Sequence, residues 1–174
     1  MTPTESACST ALAALEMVVF DFDGVMTDDA VWVTEDGIEL VRCSRADGLG
    51  VSRLRDEIPL LVLSSERNPV VTARCAKLGL RAVQGITDKG AHLAALLASE
   101  GIDPGRVAYV GNDVNDLGCI ALVGLPVAVG NAHAEVLAAS KLQLRAAGGH
   151  GAVRELCDLV LEARRARSAL TPPA

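Results

Sequence analysis

A chain of 174 residues with a formal net charge of −6 is large enough for one domain with a packed core. The acid excess, with no basic patch interleaved by aromatics, excludes a general nucleic-acid binder, and no apolar run reaches membrane-spanning length. Half of the residues are hydrophobic but only 2% are aromatic, so Ala, Val, Leu and Ile must build the core, which suits a parallel sheet covered by helices on both faces.

Residues 1–15 are small, polar and Ala-rich, and read as a loose leader. The apolar run Met17–Phe20 is a buried strand that enters Asp21-Phe22-Asp23-Gly24-Val25-Met26-Thr27-Asp28. Residues 30–34 and 38–42 flank Glu35-Asp36-Gly37, the signature of a hairpin placed to project over the acidic loop as a flap. A helical pattern opens at Asp47 and ends near Asp56, and Pro59–Leu63 is a second strand closed by Ser64-Ser65. Asn68 caps and Pro69 starts a helix to Leu78, stopped by Gly79. Arg81–Gln84 is a short strand, and Asp88-Lys89 begins a helix to about Ser99. Val107–Val110 is a strand running into Gly111-Asn112-Asp113-Val114-Asn115-Asp116. A helix, the strand Pro126–Val129, the helix His133–Ala139 and a short strand at 142–144 follow. Gly148-Gly149-His150-Gly151 then precedes a helix from Ala152 to about Arg165. Strands alternating with helices define a three-layer, doubly wound, mostly parallel α/β sheet. One domain is expected over 16–167, with a flexible tail at 168–174.

The five cysteines, Cys8, Cys43, Cys75, Cys119 and Cys157, form no CxxC and read as reduced thiols of a cytoplasmic protein. No basic segment precedes an apolar one at the start, so no secretion signal is expected.

The chemistry gathers behind four strands. On extended backbone Asp21 and Asp23 share a face, at the strand end where α/β sheets bind ligands. Two neighbouring carboxylates repel unless a cation or a shared proton lies between them, which points to a divalent-metal site with one carboxylate free as nucleophile. Alone, Asp-x-Asp-Gly is as readily a turn. Ser64 and Ser65, Lys89, and the cluster Asn112, Asp113 and Asp116 then fall on the same rim. Singly they read as a cap, a solvated charge and a polar turn. Together they are a nucleophile, a metal site, a hydroxyl and a cation, the groups that phosphoryl transfer needs.

These motifs resemble the haloacid dehalogenase superfamily of phosphohydrolases. The match is to its capless branch, the 3-deoxy-D-manno-octulosonate 8-phosphate phosphatases and the phosphatase-like domains associated with acylneuraminate cytidylyltransferases. The resemblance covers roughly Met17 to Arg165. Beyond the Asp-x-Asp-Gly-Val-x-Thr-Asp start, it rests on Arg45-Ala46-Asp47-Gly48-Leu49-Gly50, Ser64-Ser65-Glu66-Arg67-Asn68, Asp88-Lys89 and Gly148 to Glu155. It implies that Asp21 forms an aspartyl phosphate and that Asp23 protonates the leaving oxygen and then activates water. It further implies that Ser64, Ser65 and Lys89 hold the phosphate. Mg²⁺ would lie between Asp21, the carbonyl of Asp23 and the Asn112-Asp113 segment. The family has Asp where this chain has Asn112, an amide that brings no charge.

Capless relatives are tetramers whose neighbours close the site, which implies a homotetramer with Glu66, Arg74 and Lys77 meeting the substrate. The expected substrate is the terminal phosphate of an eight- or nine-carbon 2-keto sugar acid (3-deoxy-D-manno-octulosonate 8-phosphate or acylneuraminate 9-phosphate). A second expectation, from another class, is a weakly active assembly module partnering a cytidylyltransferase. A third, a phospho-acceptor signalling domain, is opposed by the second carboxylate of the Asp-x-Asp pair.

Overall fold

Wholly buried apolar strands form the centre of the sheet in the computed structural model, which describes residues 3–170. In chain order the strands are β1 (Met17–Phe20), β2 (Thr27–Val33), β3 (Glu39–Cys43), β4 (Leu60–Leu63), β5 (Arg81–Val83), β6 (Val107–Gly111), β7 (Leu125–Ala128) and β8 (Leu142–Gln143). The helices are α1 (Pro3–Ala13), α2 (Arg45–Leu54), α3 (Val70–Leu78), α4 (Lys89–Glu100), α5 (Leu117–Leu122), α6 (Ala134–Ala139) and α7 (Ala152–Leu170).

Every residue of β1, β4, β6 and β7 is buried, as expected of strands covered on both faces. The six-stranded sheet has the order β5-β4-β1-β6-β7-β8 with all pairings parallel. β1 is therefore central, and the chain leaves it first toward β4 and later returns to its other side as β6. That reversal opens a crevice beyond the carboxyl ends of β1 and β6. Helix α7 packs on α1 and α2, while α4 packs on α5, and the helices flank the sheet. β2 and β3 form a separate antiparallel ribbon with Trp32 opposite Leu40.

The N-terminal segment differs from its expected form. Residues 3–13 are helical, and Leu12, Ala13 and Leu15 are buried in the main core. Packing against α7 supplies the stabilisation that a short isolated helix lacks. At the other end α7 runs through Leu170, so 168–170 are helical, and 171–174 lie outside the described residues. Helix α2 starts two residues earlier than expected, because the Ser44 hydroxyl accepts from the N–H groups of Ala46 and Asp47 and caps it. Helix α3 starts at Val70, whose N–H donates to Asn68 Oδ1 at 3.0 Å. Among the described residues no helix is long and apolar enough to cross a membrane.

Candidate active site

Asp21 lies one residue past β1, and its N–H still donates to the Val110 carbonyl of β6 at 3.0 Å. The strand pairing thus fixes the carboxylate at the crevice, where it is 4% exposed. Its Oδ1 accepts from the Phe22 N–H at 2.7 Å and from Lys89 Nζ at 2.7 Å, which leaves Oδ2 for chemistry. Lys89 comes from the first turn of α4, whose cap is Asp88 Oδ1 accepting from the Ala91 N–H. Its Nζ also meets Asp116 Oδ1 at 2.9 Å.

Asp116, fully buried, is the hub of the site. Besides Lys89, its Oδ1 accepts from the Tyr109 hydroxyl at 2.6 Å. Its Oδ2 accepts from the N–H groups of Asn112 at 2.9 Å and Asp113 at 3.3 Å. A buried carboxylate survives only if its lone pairs are used this fully. Neither Asp116 nor Tyr109 is assigned a role by sequence reasoning. Asp116 is visible there as the last acid of Gly-Asn-Asp-x-x-Asp, whereas Tyr109 gives no signal beyond a strand residue.

The cleft, of about 410 Å³, is lined by Asp21, Asp23, Asp29, Ser64, Ser65, Glu66, Lys89 and the 112–115 turn. Strand-end geometry therefore brings together every expected catalytic, phosphate-binding and metal residue. Ser64 is buried, with its Oγ accepting from the Glu66 N–H at 3.0 Å, so its own proton is free to donate. Arg74 and Lys77 do not join the cleft. Arg74 donates to the Ser44 carbonyl at 2.8 Å, because α3 aims it back at the start of α2, and Lys77 is an exposed residue of the same helix. Asp29, passed over in the sequence, lines the cleft with a φ of 63°.

The electrostatics push both central carboxylates up. Burial, and then the charge of Asp116, push Asp21 up to about 7, with Lys89 opposing. Burial pushes Asp23 up to about 6, aided by repulsion from Glu66 and Asp29. Burial lowers Lys89, but Asp21 and Asp116 outweigh it and the net shift is upward, so the ammonium stays charged. Asp23, half-buried and lining the open cleft, is placed to exchange a proton with a bound group.

Asn112 closes the site against Gly24. The glycine has a φ of 77°, and a Cβ there would lie 1.9 Å from Asn112 Nδ2, so only glycine lets the amide pack on the acidic loop. Asn112 Oδ1 is buried without a hydrogen-bond partner. Asp113 is exposed, and its Oδ1 instead accepts from the Val114 N–H at 2.7 Å as the cap of the following turn. An orphaned oxygen beside Asp21 and Asp23 makes an all-oxygen donor set, the kind Mg²⁺ takes. Among the described residues no three His, Cys, Asp or Glu side chains cluster in metal-binding geometry.

Residues 77–156 match the haloacid dehalogenase-like hydrolase family. The chain is 36% identical over 152 residues to the 3-deoxy-D-manno-octulosonate 8-phosphate phosphatase of Escherichia coli (strain K12), covering 86% of this chain and 81% of that protein. This chain belongs to the haloacid dehalogenase-like hydrolases. A HAD family hydrolase from Streptomyces avermitilis MA-4680 superposes with a TM-score of 0.83 at 48% identity, over 85% of this chain and 86% of that one. The 3-deoxy-D-manno-octulosonate 8-phosphate phosphatase of Moraxella catarrhalis, solved with a magnesium ion, a phosphate ion and a KDO molecule, gives 0.89 at 29% identity over 95% and 96% of the two chains. As a phosphatase of this family, the chain has the Rossmann-like sheet and acidic strand-end loop that its sequence implies.

Proposed function

We propose that this chain is a Mg²⁺-dependent phosphomonoesterase acting on the terminal phosphate of an eight- or nine-carbon 2-keto sugar acid. The phosphatase relatives favour the eight-carbon 3-deoxy-D-manno-octulosonate 8-phosphate. The observation that carries the chemistry is the buried Asp21 with Lys89 Nζ 2.7 Å from one carboxylate oxygen and the other left free. That pairing orients a nucleophile and places a cation beside the phosphorus it attacks.

In the proposed reaction Asp21 Oδ2 attacks phosphorus as the P–O bond to the sugar breaks, and Asp23 gives its proton to the departing oxygen. The ionised Asp23 then takes a proton from water, whose oxygen attacks the aspartyl phosphate and restores the Asp21 carboxylate with release of phosphate. Ser64 and Lys89 donate to the phosphate oxygens, and Ser65 lies at the rim beside them. Asp21, the Asp23 carbonyl and Asn112 Oδ1 are the proposed metal ligands. When bound, Mg²⁺ neutralises charge between the carboxylates and the phosphate. Turnover of a panel of sugar phosphates tests the reading. The best kcat/KM is expected on 3-deoxy-D-manno-octulosonate 8-phosphate, with acylneuraminate 9-phosphate next. No hydrolysis of any phosphate ester would favour the assembly module instead.

The choice of Asn112 over Asp113 as ligand has its own consequence. Asn112→Asp adds a formal charge to a hard-cation site and is expected to tighten Mg²⁺ by about 1 kcal/mol, read as a larger Mg²⁺-induced rise in melting temperature. Asp113→Asn should leave that rise nearly unchanged.

The hairpin supports self-association. Val31, Trp32, Val33, Ile38 and Leu40 are all more than half exposed, Trp32 at 69%. An isolated two-stranded ribbon with apolar faces in water is marginal, and a second copy would cover it. Light scattering is expected to give four times the 18.0 kDa chain mass, and Trp32→Asp to lower it. Glu66, already in the cleft, and Arg74 and Lys77 of a neighbouring chain remain the proposed contacts to the sugar acid. All five cysteines are free, which supports a reducing, cytoplasmic setting.

A further inference from the structure

Tyr109 is the chain's one tyrosine, and it is fully buried in the sheet. Its hydroxyl needs a partner there, and it donates to Asp116 Oδ1 at 2.6 Å. The same oxygen receives Lys89 Nζ at 2.9 Å. A lysine ammonium has three donors. Two of them are directed at Asp116 Oδ1 and Asp21 Oδ1, and Lys89 lines the cleft, which leaves the third for a ligand there.

The position of that nitrogen is set by a contest between two carboxylates. Asp21 Oδ1 is already shared with the Phe22 N–H, and Asp116 Oδ1 is already shared with Tyr109. A second donor on the same oxygen brings positive charge close to the ammonium and weakens that oxygen's net hold on the lysine. Without the phenol, Asp116 Oδ1 would be left to Lys89 alone and would compete more strongly with Asp21 for it.

We propose that Tyr109 is a positioning residue for phosphate binding, holding Lys89 between Asp21 and Asp116 by occupying Asp116 Oδ1. This rests on the reading of Lys89 as the phosphate's partner, and extends it to a residue that never touches substrate. A hydroxyl that merely satisfied a buried carboxylate would change stability alone.

The experiment measures inorganic phosphate binding, at saturating Mg²⁺, from the ligand-induced rise in melting temperature, which requires no turnover. The proteins are the wild type, Tyr109→Phe, Lys89→Gln and the double variant, with Lys89→Met as substitute where Gln does not fold. Tyr109→Phe keeps the ring and is expected to weaken phosphate by about fivefold, with no further loss when added to Lys89→Gln, as coupled groups behave in a double-mutant cycle. A lowered melting temperature with wild-type phosphate affinity would make the hydroxyl structural only and overturn the proposal. So would an undiminished Tyr109→Phe effect in the Lys89→Gln background. Wild-type phosphate affinity in Lys89→Gln itself would instead remove Lys89 from the phosphate site, a failure of the underlying reading that the other two outcomes do not produce.

Discussion

Asp21→Asn is expected to reduce phosphate release by about ten-thousand-fold or more, the scale seen when a covalent nucleophile is removed from an otherwise intact site. The loss should appear in kcat, because the amide keeps the shape of the site but cannot form the acyl phosphate. The fold should survive. Lys89 retains Asp116 at 2.9 Å, and the substitution removes a charge that burial already disfavours, since Asp21 is pushed up to about 7. Turnover and melting temperature of the same preparation check both halves. Residual activity within tenfold of wild type would rule out Asp21 as nucleophile.

Asp116→Ala is expected to cost both stability and activity. One truncation strips the shared acceptor from Lys89, the Tyr109 hydroxyl and the N–H groups of Asn112 and Asp113. Removing one partner from a buried ionic network costs about 3–5 kcal/mol, a large share of the margin of a small domain. Urea unfolding measures this loss. Activity should fall as well, because the turn that carries Asn112 loses its anchor on β6. Asp116→Asn, which retains an acceptor oxygen, should recover part of the stability and little of the activity. Equal stability of all three proteins would contradict the hub assignment.

The core of the fold is readable in the chain because its strands are unbroken apolar runs and its site residues follow them directly. Asp21, Asp23, Ser64 and Lys89 could be placed on one rim because parallel strand ends share an edge. The helix at 3–13 is not readable in the same way. Its residues are mostly small, with no strong apolar stripe, and packing of Leu12 and Ala13, with Cys8 beside them, against the rest of the core holds it. Arg74 shows a second limit. Its spacing along α3 is visible, but its turn toward the Ser44 carbonyl depends on where α2 begins. Asp116 looks like one polar residue among several in a turn until the fold brings Lys89 and Tyr109 to it from separate elements.

The central claim is that phosphate passes through Asp21 as a covalent intermediate. The direct measurement is rapid acid quench of the enzyme turning over 3-deoxy-D-manno-octulosonate 8-phosphate with Mg²⁺, followed by mass spectrometry of the peptide spanning Met17 to Asp28. One added phosphoryl group on Asp21 is expected, absent in Asp21→Asn and accumulating in an Asp23→Asn variant given an aryl phosphate, whose leaving group needs no proton while hydrolysis of the intermediate still needs the base. Brisk turnover with an unmodified peptide under every quench time, including in the Asp23 variant, would contradict the account.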